Sequence, residues 1–168
     1  MAIYQYYLAV IPLEGVQKKH DSIPDSIRTS TETGYFESEA KIYWKEAEIS
    51  ANELVSELDG IITRANWGND DTSYNWKKHT READNDASIF LEEGSSFIKE
   101  FSFRADLREK NLTFLLNMIE LGKSHNWVFM DRTGKLMKAD FEIIKDSIKR
   151  SNNYKFLKDP EDYLNSLG

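Results

Sequence analysis

The stretch that most constrains this chain is residues 3–11, which is apolar on both alternating faces. Tyr4, Tyr6, Leu8 and Val10 fall on one side of an extended backbone; Ile3, Tyr7, Ala9 and Ile11 fall on the other. A strand of that kind can leave neither face in water. It predicts a central place in a sheet, or cover on both faces, and the rest of the chain must supply that cover.

The residues that follow are punctuated clearly enough to read. Residues 15–34 are polar and carry Pro24, which reads as a long loop with or without a turn of helix; residues 36–44 read as a short strand. Ser50-Ala51-Asn52-Glu53 has the form of a capping box, and the helix it opens would put Leu54, Val55, Leu58, Ile61 and Ile62 on one stripe and end near residues 65–68. Residues 66–71 form a polar turn and residues 74–79 a strand. Residues 87–92 and 96–107 read as a hairpin closed around Glu93-Gly94. In its second strand Phe97, Phe101, Phe103, Ala105 and Leu107 share the dry face, and Ile98, Glu100, Ser102, Arg104, Asp106 and Arg108 the wetter one.

A helix over residues 112–124 would bury Leu112, Leu115, Leu116 and Ile119. Residues 127–131 form a strand, and Asp131-Arg132-Thr133-Gly134 suits a type I turn with the glycine left-handed. A helix over residues 140–150 buries Phe141, Ile144 and Ile148. Asp159-Pro160-Glu161-Asp162 then opens a last short helix, docked by Tyr163, Leu164 and Leu167. The order is strand, helix, three strands, helix, strand, helix. It predicts one α+β domain over residues 1–168, with an antiparallel or mixed sheet and helices mainly on one face. The expected core is a ferredoxin-like βαββαβ unit with extra elements.

Chemistry is sparse. There are no cysteines, so disulfides, thiolate metal sites and a cysteine nucleophile are excluded. The eight glycines stand isolated, without a phosphate-cradling loop, and there is no Gly-x-Ser-x-Gly elbow. His20 and His125 sit in polar surroundings and read as solvated imidazoles. His79 is followed by Glu82, Asp84 and Asp86, which could present an imidazole and carboxylates to a divalent ion, although the spacing matches no metal motif. Asp84-x-Asp86-x-Ser88 starts like a calcium loop, but Ile89 stands where glycine is required. No catalytic residue, metal or other cofactor is therefore assigned, and a metal-assisted hydrolase on these four residues is the weakest of three readings.

Arg104, Asp106 and Arg108 alternate along one strand. Such a row could clamp an anion, or it could neutralise itself as an Arg–Asp–Arg ladder, which is the favoured reading. The anion clamp leads to the second functional reading, a small-molecule-binding or regulatory domain.

The net charge is −7, unfavourable for a nucleic-acid binder, which must approach a phosphate backbone. The charge is also uneven. Residues 51–100 hold 11 acids against five bases, whereas residues 101–168 hold 10 acids against 12 bases. An acidic middle can be a solvated face, or it can steer a basic partner. The partner-binding candidates are Asp70, Asp71, Trp76, Asp84, Asp86, Glu92 and Glu93, with Asp70 and Asp71 in a turn that neither is expected to hold together. The absence of Lys and Arg from residues 1–10, and of any long apolar run, gives a cytoplasmic chain with no membrane partner as the expectation.

The second half adds a resemblance. It is carried by Phe103-Arg104-Ala105-Asp106-Leu107-Arg108, the leucine-rich helix and Trp127-Val128-Phe129-Met130-Asp131 with Gly134. Ser147-Ile148-Lys149-Arg150-Ser151 and the run from Phe156 to Leu164 complete it. This pattern resembles the small immunity proteins of bacterial polymorphic-toxin systems. The resemblance implies a chain that binds and silences a toxin, and the acidic charge of the chain suits a basic toxin domain as that partner. It carries over no site residue.

Overall fold

The computed structural model describes residues 3–167. In chain order the elements are β1 (Gln5–Pro12), α1 (Leu13–Lys19), β2 (Thr29–Ser30), β3 (Glu37–Ser38), α2 (Lys41–Ala47) and α3 (Ala51–Asp59). Then come β4 (Ser73–His79), β5 (Asp84–Leu91), β6 (Ile98–Asp106), α4 (Thr113–Ser124), β7 (Trp127–Met130), β8 (Leu136–Lys138), α5 (Phe141–Arg150), α6 (Asn152–Lys158) and α7 (Pro160–Asn165). The fold is α+β. The main sheet has the order β4-β5-β6-β1-β7-β8 with every pairing antiparallel. Its inner four strands, β7-β1-β6-β5, have the strand order of the expected βαββαβ unit, with β4 and β8 added at the edges.

β1 lies at the centre, as its two apolar faces require. Tyr6, Leu8 and Val10 enter the larger core, where α3, α4 and α5 lay down Leu54, Leu58, Phe114, Leu115, Met118, Ile119, Ile144 and Ile148. Ala9 and Ile11 enter a smaller cluster on the other face with Val16, Tyr43, Val128, Met130 and Leu136. The aromatic centre is cross-packed edge to face: Phe101 on Trp127 at 5.5 Å and Phe103 on Phe129 at 5.6 Å between ring centroids.

Several expectations need correction. The polar stretch from residue 15 does open with a turn of helix, the end of an α1 that starts two residues earlier. Gly15 is there because α2 lies against it: a Cβ at that position would sit 1.9 Å from the carbonyl oxygen of Tyr43. Residues 36–44 are not a strand; they divide between β3 and α2, whose Tyr43 and Trp44 are both buried. Trp44 Nε1 donates to Val10 O at 2.8 Å, which ties this helix to the central strand.

Ser50 does cap α3, but its oxygen accepts from Asn52 N, one residue earlier than a capping box predicts, and the helix stops at Asp59. β6 carries an irregularity: Phe90 pairs with Glu100 and Leu91 with Ile98, so Lys99 is the extra residue. The bulge reverses the expected faces, burying Ile98 and exposing Phe97. Leu116, Leu164 and Leu167 are exposed rather than buried, and α6, which no reading foresaw, lies between α5 and α7. The turn after β7 forms as expected, with Gly134 at φ +85° and its N–H on Asp131 O at 3.1 Å.

Leu58 is fully buried at the centre of the α3 stripe. Leu58→Ala should lower stability by about 2–5 kcal/mol in urea unfolding. A loss under ~1 kcal/mol would mean that the core collapses around the deletion instead of keeping a cavity.

Candidate functional site

The partner-binding candidates separate into two groups at opposite ends of β5. Asp84 and Asp86 stand at its start, on the face away from the larger core. Asp86 bonds Arg104 Nε at 2.8 Å and Lys77 Nζ at 3.2 Å, from the strands on either side. Asp84 is paired with Lys77 and lies 3.4 Å from His79 Nδ1. Asp106 is fully buried and takes Arg108 through both oxygens, at 2.7 Å from Nη2 and 3.0 Å from Nε. It also accepts Asp84 N at 2.8 Å, and the Arg108 guanidinium lies 3.3 Å from the Tyr4 ring centroid.

This is a self-neutralised ladder, as favoured from the sequence, although its pairing differs. Arg104 is matched across strands by Asp86, and Asp106 serves Arg108 alone among the arginines. The alternative reading of Arg104, Asp106 and Arg108 as an anion clamp therefore finds its cations already engaged.

Burial alone would raise the Asp84 carboxyl, but the Lys77 ammonium, with His79 beside it, more than offsets this and holds it below the usual range. Burial works on Lys77 in the other direction, and the two carboxylates overcome it and hold the ammonium above its usual value. His79, Glu82, Asp84 and Asp86 do not assemble into a metal cluster. Among the described residues no three His, Asp or Glu side chains converge to hold an ion. The other imidazoles are partnered: His125 stacks on Trp127 with centroids 4.6 Å apart and meets Glu57 Oε1 at 2.8 Å, and His20 meets the Tyr43 hydroxyl at 2.9 Å.

Trp76 is 0 % exposed and donates from Nε1 to Asp59 Oδ1 at 2.8 Å, so it is a core residue and touches no partner. Asp59 is held below the usual carboxylate range by the Arg64 guanidinium, with help from this indole.

At the other end of β5 lie the remaining candidates. Asp70, Asp71, Glu92 and Glu93 are carried on the turn before β4 and on the β5–β6 hairpin. The two loops meet where Leu91 N donates to Thr72 O at 2.9 Å. Glu100 faces outward next to them. Among the described residues none of these five acids forms an ion pair, in contrast to Asp84 and Asp86. Asp70 does hold its turn, contrary to expectation: its Oδ1 accepts Thr72 Oγ1 at 2.6 Å, Thr72 N at 2.8 Å and Ser73 N at 3.2 Å. Those bonds, led by the Thr72 hydroxyl, keep its carboxyl below the usual range.

Three aromatic side chains share this end in the open: Trp67 at 55 % exposure, Phe90 at 46 % and Phe97 at 42 %. The sequence reading missed the two phenylalanines. Phe90 was recoverable, because it alternates out of phase with Ala87, Ile89 and Leu91. Phe97 was misplaced by the bulge.

No helix among the described residues is long and apolar enough to cross a membrane.

The pH dependence of the ladder follows from these two directions. A depressed Asp84 stabilises the fold above the unfolded carboxylate value of ~3.9 and loses that contribution as pH falls through its lower folded value. A raised Lys77 stabilises below ~10.4 and loses its contribution as pH rises through its higher folded value. Asp84→Asn should lower stability at neutral pH by about 1–3 kcal/mol and flatten the acid limb of the urea midpoint. An acid limb parallel to that of the wild type would show that Asp84 does not carry it.

Comparison with protein-family models, curated proteins and solved structures gives no match to this chain.

Proposed function

We propose that this chain is a protein-binding module that receives a basic partner on the acidic end of its sheet. The observation behind this reading is the company kept there: exposed Trp67, Phe90 and Phe97 among Asp70, Asp71, Glu92, Glu93 and Glu100. Large aromatic side chains supply the anchoring burial of protein interfaces, and surrounding charges set encounter rate and partner choice. An exposed aromatic alone would be unremarked; three at one end, with five unpaired acids and the single base Lys99 on the same loops and strand ends, favour a basic surface as occupant. The toxin-immunity resemblance gives the partner a class. We take it to be a basic toxin domain that the chain silences by covering it.

Full-length tagged chain, incubated with lysate of the producing cells, should capture a basic protein identifiable by mass spectrometry. Asp71→Lys with Glu93→Lys is the informative charge reversal, since Asp70 holds its turn. The pair should slow association with the captured partner and weaken its salt dependence, because such charges act over a Debye length of ~8 Å at physiological salt. Phe90→Ala should instead speed dissociation. An association rate indifferent to the reversal and to salt would place the interface elsewhere. A partner that stays toxic in a stoichiometric complex would end the immunity reading while leaving the binding reading standing.

A further inference from the structure

At the opposite end of β6 from the acidic loops, a cavity of about 420 Å³ opens between the start of β1, the β7–β8 turn and the α5–α6 junction. Its size falls in the range of small-molecule sites, ~300–1,000 Å³, and is far more than a simple ion needs. Tyr7 lines one wall, and the buried Tyr6 reaches the lining from the other face of β1. Arg132, Lys135 and Arg150 contribute three cations to its lining.

The charge in this cavity is unbalanced. The acid in the lining is Asp131, and its oxygens are committed: Oδ1 accepts Thr133 Oγ1 at 2.6 Å and Thr133 N at 2.9 Å, and Oδ2 accepts the Ser147 hydroxyl at 2.8 Å. The Ser147 oxygen in turn lies 2.7 Å from the Tyr6 hydroxyl. With Ser147 donating to Asp131, Tyr6 donates to Ser147, and burial pushes the phenol up to about 12, so the proton stays in place. This buried chain fixes the floor of the cavity.

Among the described residues, no carboxylate lies within ion-pair distance of Arg132, Lys135 or Arg150. That sets them apart from Arg64, Arg104 and Arg108, each of which has an aspartate. Arg132 instead lies over aromatic rings, 5.2 Å from the Tyr7 centroid and 5.6 Å from that of Phe36. Burial pulls its guanidinium below the usual value, and Arg104 adds to this.

We propose that this cavity is a binding site for a small organic phosphate monoester, its dianionic head held by Arg132, Lys135 and Arg150 and its body against Tyr7. Three cations against one committed carboxylate suit a dianion better than a single negative charge. The tyrosine wall and the volume call for a body beyond the phosphate. The site stands independently of the partner-binding end, which lies roughly 25 Å away at ~3.3 Å per residue along β6.

Phenyl phosphate is the probe, with inorganic phosphate and phenol as its separated halves, titrated calorimetrically into the full chain at constant ionic strength. Phenyl phosphate should bind measurably at millimolar concentration or below, more tightly than inorganic phosphate, and phenol should give no heat. Arg132→Ala and Arg150→Ala should each weaken phenyl phosphate about tenfold or more, the loss of a charge-assisted contact. Lys138→Ala, an exposed cation outside the cavity, should leave binding unchanged. Thermal melts establish that each variant is folded; Arg150, exposed on the last turn of α5, is the variant to rely on if Arg132→Ala unfolds. Three outcomes would overturn the proposal. They are no heat with phenyl phosphate at millimolar concentration, equal affinity for inorganic and phenyl phosphate, or folded Arg150→Ala binding as wild type.

Discussion

The structure depends on a strand that cannot be left bare on either side. β1 runs through the middle of the sheet with Leu8 and Val10 sealed on one face and Ile11 on the other. The helices α3, α4 and α5 cover the first face. The second is closed by α1, by Ala40 and Tyr43 and by residues of β7 and β8, so each face keeps its own apolar cluster. α2 joins the two solutions. Its adjacent residues Tyr43 and Trp44 belong to different clusters, and the Trp44 indole donates to the carbonyl of Val10. This explains why Gly15 lies inside a helix despite its poor helix propensity. α1 must reach α2 at backbone contact, and no side chain would fit between them.

Beyond the reach of those covers the second face turns polar. Lys77, Asp86 and Arg104 stand in register on β4, β5 and β6, with Asp86 paired opposite each of the other two. A one-residue slip of either strand would carry these charges to the larger core, where they would be stranded among Ile89, Phe101 and Phe103. The ladder therefore disfavours the wrong register more strongly than it stabilises the right one, since pairing mostly compensates for the water these groups have lost.

The parts of the fold that were legible in the sequence are those governed by local periodicity. β1, β4, the β5–β6 hairpin, α4 and α5 announce themselves through alternation or helical spacing. So does the Asp159 cap, whose carboxylate accepts Asp162 N at 3.0 Å. What failed was set by distant contacts. Residues 36–44 read as a strand because Tyr43 and Trp44 favour strands; residues 41–47 are helical because the end of β1 needs a plug. Ile98 and Phe97 exchanged faces because one extra residue in β6 shifts every alternation before it. At the candidate site the sequence counted acids without knowing their neighbours. Asp84 and Asp86 face cations from other strands, whereas Asp71 and Glu93 do not, and only the sheet order reveals the difference.

The same blindness applies to cations. Arg132, Lys135 and Arg150 come from a turn and a helix end whose sequences give no sign that they face one cavity. The net charge of −7 thus conceals a separation. Asp71, Glu92, Glu93 and Glu100 gather at one end of β6, and Arg132, Lys135 and Arg150 line the cavity near the other. A distribution of that kind gives the molecule a field with direction as well as sign. A basic protein would be turned toward the loops of Asp71 and Glu93 before contact, and a small anion would be repelled there and drawn to the cavity. The two proposed occupants would therefore not compete for one surface. Any coupling between them would have to travel through β5 and β6, the strands on which the ladder holds register.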